Sequence, residues 1–388
     1  MPEKRIGILY LIDTLDQRGG TELNLYRLLA GLDADIFQPL VCPLQPPESI
    51  MIQMLREKEI EVLPLCLHSI FSLSAFRWAF HLRNLIRERD IRIVQTIHFG
   101  SDIMGALCKR LWNDPFVISS RRDMGFNETT WLHRLLRRCT GKWIDLVLTN
   151  SCALRALIEK REKIPQKKIA MIYNGVEIPD PADVRKKTEL RSRLGLPADT
   201  FVVGCVANIQ PIKGFEYLIR AILHLIGKGL DIHLLLIGGI EKRMESAEGY
   251  YNSLAAMVRA EGQEGRIHFL GVRTDVGDLL SSLDVFILPS LSEGFSNAIL
   301  EAMAAGVPVI ATAVGGNGEA VIAEETGFLV APADDDAIAA AVQRLYHSPS
   351  LATAMGAAAR RRVQERFNEN RMVKSMEALY VSHIRPHR

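Results

Sequence analysis

The fold of this chain is decided by residues 284–330, DVFILPSLSEGFSNAILEAMAAGVPVIATAVGGNGEAVIAEETGFLV. Residues 284–288, DVFIL, are apolar after Asp284 and too few for a helix, so they predict a buried strand. A helix is expected over 296–305, and a second buried strand over 307–312. A short helix and a last strand complete the stretch. Alternation of this kind indicates an α/β fold with a parallel sheet.

The helix of this stretch is expected to approach the sheet closely. Its sheet-facing side is predicted to consist of Ala298, Ala302 and Ala305, whose side chains are small. Gly306 stands where glycine commonly ends a helix, and Pro308 follows where a helix cannot continue.

Polar groups suited to a ligand are predicted at the carboxyl end of the first strand, where open α/β sheets bind ligands. Glu293 lies in the loop there, and Glu301 shares a helix face with Asn297, four residues earlier. Backbone amides at the helix start suit a phosphate. Those amides belong to Gly294, Phe295, Ser296 and Asn297. Since carboxylates accept hydrogen bonds from sugar hydroxyls, the pattern predicts a nucleotide sugar as ligand.

Glu293 and Glu301 are separated by seven residues inside the phrase EGFSNAILEAMAAGVPVIAT. This phrase resembles the E-x7-E signature of the retaining glycosyltransferases of family 4. The resemblance implies the GT-B fold, in which two Rossmann-like domains have parallel sheets that face a central cleft. For an isolated pair of glutamates at this spacing, a solvated helix face would be the alternative explanation.

Composition and length limit the classes of protein to which this chain can belong. The chain has 388 residues, 48% hydrophobic and 24% charged, which is typical of a soluble protein of two or three domains. No apolar run approaches the roughly 20 residues of a membrane span, and residues 6–12 read as a strand rather than a signal peptide. The six cysteines include no C-x-x-C pair. A cytoplasmic protein is expected, with no structural zinc, no disulfide framework and no nucleic-acid partner.

Domain limits follow from the alternation of apolar and amphipathic runs. A linker is predicted near MIYNGVEIPDPADVRKK, which begins at Met171. The predicted domains are an acceptor-side Rossmann-like domain, 1–178, a nucleotide-sugar-binding domain, 179–365, and a last helix, 366–388, which the resemblance implies returns to the first domain. Other predicted strands are 6–12, 37–42, 61–65, 91–97, 116–120, 144–148, 202–207, 232–237 and 267–270.

Lys213 is the predicted cation for the donor diphosphate. It lies in CVANIQPIKGFEYLI, after the first strand of the second half, and a surface lysine is the alternative. The family's phosphate-binding segment normally has an arginine five residues earlier, where this chain has Asn208. Arg121, Arg122 and Arg273 are candidates to replace it. By analogy with the family, backbone groups near Val272 meet the nucleotide base.

In the first half, Gly20 lies at the first strand-to-helix turn, where glycine allows a ligand to approach the backbone. His98 ends a strand and is similar to a cleft histidine common in the family; a structural histidine is the alternative. Asp123, in SSRRDMGF, is a candidate to hold an acceptor hydroxyl, and Arg121 and Arg122 suit a phosphate.

The resemblance implies transfer of a sugar from a UDP- or GDP-linked donor to an acceptor hydroxyl, in polysaccharide or glycolipid biosynthesis. Lys213 and the amides of 294–297 would neutralise the diphosphate, Glu301 would bind the ribose, and Glu293 would hold the sugar. No D-x-D motif stands near the site, so neither metal nor cofactor is expected. The alternatives are a sugar-nucleotide 2-epimerase of the same fold and a non-catalytic sugar-nucleotide-binding protein.

Positive charge is concentrated in one window of the chain. From Arg121 to Lys168 there are twelve Lys/Arg and five Asp/Glu, a net charge of +7, against +2 for the whole protein. Within it, residues 131–143, WLHRLLRRCTGKW, mix tryptophan, leucine and basic residues. Peripheral contact with the inner face of an anionic membrane is therefore a hypothesis, since such residues favour that surface. The alternative is a helix that packs Leu132 and Leu136 on its own sheet.

Overall fold

The computed structural model of this protein describes residues 5–15, 19–45, 50–65, 74–112, 115–122, 124, 131–180, 184–197, 199–240 and 245–384. The chain divides into two compact units, which we call the first unit, Met1–Gly175 with Glu369–Arg388, and the second unit, Val176–Asn368. The sequence patterns place the divisions after residues 178 and 365. None of the described helices is long and apolar enough to cross a bilayer.

The first unit is built on a parallel sheet. Within the described residues, seven strands pair in the order β3-β2-β1-β4-β5-β6-β7. Their nearly continuous apolar sequences fit a sheet that helices cover on both faces. The strands are β1 (Ile6–Ile12), β2 (Phe37–Pro43), β3 (Glu61–Val62), β4 (Ile91–Ile97), β5 (Phe116–Arg121), β6 (Leu146–Thr149) and β7 (Ile169–Met171).

Helices cover both faces of this sheet. They are α1 (Gly20–Gly31), α2 (Ile50–Glu57), α3 (Ser74–Glu88), α4 (Phe99–Trp112), α5 (Trp131–Trp143) and α6 (Cys152–Glu162). Because successive side chains of a strand point to opposite faces, β1 contributes to two cores. Leu9 and Leu11 pack with residues of α3, α4 and α6, whereas Ile8 and Tyr10 pack with residues of α1 and α2.

The second unit repeats the plan with six described strands in the order β10-β9-β8-β11-β12-β13, all parallel. Its elements in chain order are α7 (Val184–Arg193), β8 (Phe201–Val206), α8 (Phe215–Gly227), β9 (Ile232–Ile237), α9 (Glu245–Ala260), β10 (Ile267–Gly271), α10 (Val276–Ser281), β11 (Val285–Leu288), α11 (Asn297–Ala304), β12 (Val309–Thr312), α12 (Asn317–Ala320), β13 (Gly327–Val330), α13 (Asp335–Tyr346) and α14 (Pro349–Arg366). The predicted α/β class with two parallel sheets is confirmed.

The last helix, α15 (Glu369–His383), belongs to the first unit. Its Tyr380 is fully buried, and the Tyr380 ring packs edge-on against Phe37 at 5.9 Å between centroids. The Tyr380 hydroxyl lies 2.9 Å from the Tyr10 hydroxyl and donates to Gln95 Oε1 at 2.6 Å. Gln95 in turn donates to Ser120 Oγ at 2.8 Å. This buried chain of hydrogen bonds ties α15 to three strands of the sheet.

Each sheet has one topological switch point, where the strand order turns back. In the first unit it lies between β1 and β4, and in the second unit between β8 and β11. Ligands of open α/β sheets bind at the carboxyl ends of the strands at such points. The loops that carry Gly20 and His98 follow β1 and β4, and the loops that carry Lys213 and Glu293 follow β8 and β11.

Some local features of the structure differ from what the sequence predicted. The three-residue strand β7 was missed because it is too short to show a period. The buried side of α11 is larger than predicted: Ile299 and Met303 are fully buried with Ala302, whereas Ala298 and Ala305 are only half-buried. The reason is that α11 packs against α14 as well as against the sheet, so it needs large apolar side chains on more than one face.

Candidate active site

The loops that follow β8 and β11 are joined at the switch point of the second unit. Leu291 N donates to the Ile212 carbonyl at 2.8 Å, which links the two loops directly. Ser290 is fully buried, and its carbonyl accepts a hydrogen bond from Thr312 Oγ1 at 2.5 Å. The position of the β11 loop is therefore fixed by both neighbouring strands of the sheet.

Two glycines let the backbone of this loop lie close to its neighbours. Gly214 has φ +65°, and a Cβ there would collide with the Pro289 carbonyl. Gly315 has φ +50°, and a Cβ there would collide with the Glu293 carbonyl. Both positions combine a left-handed backbone with a contact that only glycine permits. These glycines therefore help to set the backbone on either side of Glu293.

Lys213 and Glu293 form an ion pair in this loop cluster. Lys213 Nζ lies 2.6 Å from Glu293 Oε1, and Ser290 Oγ donates to the same oxygen at 2.7 Å. The Lys213 side chain is 20% exposed and that of Glu293 11%. Among the described residues, nothing donates to Glu293 Oε2. One carboxylate oxygen is thus anchored by two donors, and the other is left for a ligand.

The start of α11 is capped next to this pair. The Ser296 side chain accepts a hydrogen bond from Ile299 N, as an N-cap residue does. Gly316 N donates to the Gly294 carbonyl at 3.0 Å, and the Phe295 ring packs 5.5 Å from Phe367. Glu301 is half-buried on α11. The positive end of a helix and two carboxylates are therefore brought to one edge of the sheet.

Arg273, one of the three arginines considered in place of the missing one, already has a carboxylate partner. Asn208 follows β8 and is half-buried. Arg273 donates from Nε and Nη2 to Asp275 at 2.8 and 2.6 Å, a bidentate pair. This pair lowers the pKa of the Asp275 carboxyl. The neighbouring Val272 side chain is 77% exposed.

The second unit contains a thiol near the ion pair. Burial raises the pKa of the Cys205 thiol to about 12, with the charge of Lys213 acting in the opposite direction. This thiol is therefore protonated at neutral pH and is not a nucleophile. In the described part of the chain, no group of three His, Cys, Asp or Glu side chains could hold a metal ion. Metal independence itself stays a prediction.

At the switch point of the first unit, the structure places His98 and Gly20. His98 has φ +77°, a left-handed conformation that is uncommon for residues other than glycine. The adjoining start of α4 is held by Asp13, which accepts from Gly100 N at 2.9 Å and Ser101 N at 2.6 Å. His98 is half-buried, and Gly20 is the exposed first residue of α1.

Arg121 is buried in an ion cluster, which contradicts its predicted place on an acceptor surface. Its guanidinium pairs with Asp102 and, at 3.2 Å, with Glu162. Arg137 joins from α5, with Nη1 3.1 Å from Asp102 Oδ2. The Arg121 side chain is only 3% exposed. Its charge is already offset within the unit, so it is not available to a substrate phosphate.

Arg122 lies beside this cluster but has a different environment. Its Nη1 donates to Asn24 Oδ1 and, at 3.0 Å, to Asn174 Oδ1. Burial lowers the pKa of the Arg122 guanidinium to about 10, although Tyr380 and Glu22 act in the opposite direction. Asp123, the third acceptor-side candidate, lies outside the described residues. Arg122 is therefore the acceptor-side candidate that the structure leaves with donors to offer.

Two family profiles match the two units. "Glycosyltransferase Family 4" matches residues 18–178, and "Glycosyl transferases group 1" matches residues 200–348. The D-inositol 3-phosphate glycosyltransferase of Kineococcus radiotolerans is 33% identical over 71% of this chain and 68% of its own length. The chain belongs to glycosyltransferase family 4. The resemblance carried by the E-x7-E phrase is thereby confirmed.

Other relatives of this glycosyltransferase are named for different reactions. The Escherichia coli UDP-Gal:alpha-D-GlcNAc-diphosphoundecaprenol alpha-1,3-galactosyltransferase is 28% identical over 78% of this chain and 78% of its own length. The lipopolysaccharide core biosynthesis mannosyltransferase LpcC of Rhizobium leguminosarum is 31% identical over 72% of this chain and 75% of its own length.

Solved structures agree on the GT-B fold of this glycosyltransferase. Anabaena HepE in complex with UDP-glucose aligns with a TM-score of 0.85, 22% identity, and coverage of 97% of this chain and 100% of HepE. WaaG, a glycosyltransferase involved in lipopolysaccharide biosynthesis, aligns with a TM-score of 0.74, 17% identity, and coverage of 96% and 99%. At these identities the likeness shows the fold.

The structure brings some predicted site residues of the glycosyltransferase together and separates others. Lys213 and Glu293 touch, and Glu301 lies on the helix that begins beside them. Arg121 and Arg273 have carboxylate partners of their own. Sequence reasoning missed Ser290, which anchors Glu293, and Asn24 and Asn174, which hold Arg122. The position of Ser290, directly after a buried strand and three residues before Glu293, was a usable signal; Asn24 and Asn174 had none.

Proposed function

We propose that this glycosyltransferase transfers a sugar from a nucleoside diphosphate sugar to an acceptor hydroxyl with retention of configuration, in the synthesis of a polysaccharide or glycolipid. The observation that carries the proposal is the Lys213–Glu293 pair, with Ser290, at the switch point of the second unit. An ammonium group suited to a diphosphate lies there beside a carboxylate suited to sugar hydroxyls, which supports the proposal. Relatives that act on lipid-linked and lipopolysaccharide acceptors support the glycan assignment.

The donor is assigned to the second unit. Glu301 accepts hydrogen bonds from the ribose hydroxyls, and the amides at the start of α11 bind the diphosphate. The exposed Val272 marks the loop that meets the base. UDP is the nucleotide that we expect first, because HepE binds UDP-glucose and a relative is named for UDP-Gal; GDP is the second choice.

Catalysis is proposed to come mainly from charge stabilisation. The Lys213 ammonium group has three N–H donors. One of them binds Glu293, so two remain for the departing diphosphate. Donors fixed in place before the reaction stabilise developing charge most effectively. Glu293, held through Oε1, offers Oε2 to the sugar. In the absence of a nucleophile for a double displacement, we assign attack from the leaving-group face.

His98 is the proposed catalytic contribution of the first unit. Its left-handed backbone at the end of β4 is a conformation that costs free energy and is commonly found at functional sites. An imidazole there could hold a sugar hydroxyl. Exchange of His98 for Asn, which can still donate, should retain more activity than exchange for Ala if hydrogen bonding is its role.

The sequence left two other functions open, a sugar-nucleotide 2-epimerase and a non-catalytic sugar-nucleotide-binding protein. One assay distinguishes both of them from a glycosyltransferase. The purified protein is screened for thermal stabilisation by sugar nucleotides, since a bound ligand raises stability by mass action. The stabilising compound is then incubated with and without candidate acceptors. Nucleotide release that depends on the acceptor supports the transferase. An acceptor-free change of the sugar indicates an epimerase, and binding without any turnover indicates a non-catalytic protein.

We also propose that the first unit docks on an anionic bilayer through α3, α4 and α5, which pack side by side. Four large apolar side chains are exposed on these helices: Phe80 is 54% exposed, Leu111 46%, Leu135 48% and Trp143 39%. Exposed cations accompany them, namely Arg110, Arg138 and Lys142. Apolar side chains accompanied by cations are suited to bind a surface of anionic lipids.

Arg137 does not belong to this surface, although the sequence placed it there. Its side chain is 7% exposed and is paired with Asp102. The side chains of Trp131, Leu132 and Arg134 lie outside the described residues. Leu136, which the alternative packs on the sheet, is half-buried. Arg110, Arg138 and Lys142, whose side chains are all exposed, are therefore the cations chosen for the test.

Cosedimentation with vesicles that contain anionic lipid tests the docking proposal. The triple change Arg110→Gln, Arg138→Gln and Lys142→Gln should reduce binding, which salt should also weaken. A matched control changes three exposed cations elsewhere: Lys160→Gln, Lys228→Gln and Arg366→Gln. If the wild-type protein stays in the supernatant at low salt, or both triple variants bind equally, the proposed surface is not a docking site.

A further inference from the structure

The segment from Thr312, which ends β12, to Asn317, which begins α12, is closed on itself by hydrogen bonds, and we call it the brace loop. Val314 N donates to the Thr312 carbonyl at 2.8 Å, and Asn317 N donates to the Val314 carbonyl at 3.1 Å. Asn317 Nδ2 also donates to the Thr312 carbonyl, at 3.1 Å. Thr312 and Asn317 are both fully buried. The brace loop is therefore a compact element whose two ends are tied together.

The side-chain amide of Asn317 is used on one side only. Its Nδ2 is committed to Thr312, and its Oδ1 is buried without a donor among the described residues. Buried amide oxygens in proteins are nearly always paired, and an unpaired one lowers the stability of the fold. Local costs of this kind are expected mainly at functional sites. The unpaired oxygen is therefore a reason, besides position, to assign the brace loop a functional role.

The brace loop holds the β11 loop on both sides of Glu293. Before Glu293 in the chain, the Ser290 carbonyl accepts a hydrogen bond from Thr312 Oγ1 at 2.5 Å. After Glu293, the Gly294 carbonyl accepts one from Gly316 N at 3.0 Å. Glu293 thus lies between two backbone carbonyls that the brace loop fixes.

The peptide group between Ser290 and Leu291 is held at both ends. Its carbonyl accepts from Thr312 on one side, and its N–H donates to the Ile212 carbonyl at 2.8 Å on the other. Because the atoms of a peptide group are nearly coplanar, these two hydrogen bonds together fix its orientation. Ser290 Oγ, which donates to Glu293 Oε1 at 2.7 Å, belongs to the same residue. Loss of the Thr312 hydroxyl would free one end of the peptide group and so loosen the anchor of Glu293.

We propose that Thr312, braced by Asn317, is a positioning residue for Glu293, and that it acts through the Ser290 peptide without touching substrate. The assignment rests on the proposed function, which gives Glu293 a part in the transfer of the sugar. A catalytic group loses much of its effect when it moves by about 1 Å, because the reactive geometry is narrow. Positioning by Thr312 should therefore appear in turnover. UDP binding, which we assign to Lys213 and the amides of α11, should not depend on it.

Thr312→Val, which exchanges the hydroxyl for a methyl group, is the direct test. Nucleotide release is measured with UDP-glucose, UDP-galactose and GDP-mannose as probes, and UDP affinity is measured by calorimetry. We expect turnover to fall about tenfold, within the roughly 10²-fold that a displacement of about 1 Å can cost. UDP should bind this variant as it binds wild type. Thr312→Ser keeps the hydroxyl and should retain most of the turnover.

Thr200→Val is the matched control. Thr200 is 2% exposed, and its Oγ1 donates to the Asp231 carbonyl at 3.2 Å, just before β8 at the amino end of the same sheet. Both variants remove a buried hydroxyl that donates to a backbone carbonyl, so both should lower the midpoint of thermal unfolding. Only Thr312→Val should lower turnover. An equal loss of turnover in the two variants would identify reduced stability as the cause and overturn the assignment.

A double-mutant cycle with Glu293→Gln determines whether Thr312 acts through Glu293. In the Glu293→Gln background, Thr312→Val should cause little further loss of turnover. A full tenfold loss in that background would overturn the assignment. Asn317→Leu, which removes both the donor to Thr312 and the unpaired oxygen, should lower turnover by a smaller factor than Thr312→Val does. Wild-type turnover in Asn317→Leu would remove Asn317 from the assignment.

The positioning role and the proposed function fail in different ways. If wild type releases no nucleotide from any of the three probes, with or without candidate acceptors, the proposed function is refuted and the assignment of Thr312 falls with it. If wild type is active and Thr312→Val has the same turnover, only the assignment of Thr312 is refuted.

Discussion

Two clusters, one in each unit, combine a carboxylate with cations and hydroxyl donors, and they differ in how fully the carboxylate is satisfied. Asp102 Oδ1 accepts from Thr96 at 2.5 Å and Ser119 at 2.6 Å, while Oδ2 accepts from Arg121 and Arg137. Glu293 Oε1 accepts from Lys213 and Ser290, and Oε2 from none of the described residues.

The two clusters also differ in the solvent exposure of their side chains. The Asp102 side chain is 1% exposed and its arginine Arg121 3%, whereas Glu293 is 11% exposed and Lys213 20%. A carboxylate with every acceptor position filled can only hold the fold together. One that is anchored through a single oxygen, at a switch point, can still bind a substrate. A buried ion pair therefore indicates a binding site only where its carboxylate still has an unfilled acceptor position.

The largest effect on stability is expected at Asp102, the carboxylate whose acceptor positions are all filled. Asp102→Asn leaves two buried guanidinium groups without their shared charge, and should lower the free energy of unfolding by about 3–5 kcal/mol. Denaturant unfolding measures the loss. UDP affinity of the fraction that remains folded should be unchanged. A stable Asp102→Asn variant that has lost UDP binding would show that this cluster is functional after all.

Glu293→Gln should give the opposite pattern. Its turnover, measured as nucleotide release, should fall by a factor on the order of 10²–10³, the loss typical of one preorganised group that acts on the transition state. Its unfolding midpoint should change little, because the amide can still accept from Lys213 and Ser290. Glu325→Gln, an exposed carboxylate in the same unit, serves as the control. Wild-type turnover in Glu293→Gln would remove Glu293 from the mechanism.

A smaller effect is expected at Glu301, on the other end of the E-x7-E pair. Glu301→Gln replaces a carboxylate that accepts from two ribose hydroxyls by an amide that accepts at one end only. Donor binding should weaken by about 1.5–3 kcal/mol, the range for hydrogen bonds to charged groups. Calorimetry with the nucleotide and with its 2′-deoxy analogue tests the assignment, since the variant should discriminate less between them. Equal donor affinity in variant and wild type contradicts the ribose role.

Much of the fold could be predicted because parallel sheets leave strong signals. Strands β1, β4 and β9 are runs in which apolar residues predominate, and their limits were predicted to the residue. The three residues of β7 are too few to show a pattern. Strand β3 is shorter than predicted: its ladder with β2 covers Glu61 and Val62, although Leu63 N and Leu65 N still donate to carbonyls of β2. Such limits depend on neighbouring strands, which local sequence does not record.

The site was predictable where its residues share one loop or one helix, and less so elsewhere. Glu293, Glu301 and the amides between them lie within nine residues of sequence. The paired states of Arg121 and Arg273 depend on which carboxylates the fold brings near them. Asp275 is two residues from Arg273 and could have been suspected, whereas Asp102 of helix α4 meets Arg121 at the end of strand β5, 19 residues along the chain. Sequence identifies the charges, but only the fold shows which are already offset.

Titration with UDP shows whether the Lys213–Glu293 pair of the second unit is an open site for a nucleoside diphosphate, as we propose. The matched control is Lys187→Ala, which removes a lysine of the same unit that pairs with Asp284 at 2.9 Å. Wild type and Lys187→Ala should bind one UDP with equal affinity, and Lys213→Ala should bind it about tenfold more weakly. Equal UDP affinity in all three proteins, or no binding of either UDP or GDP to wild type, would contradict the account.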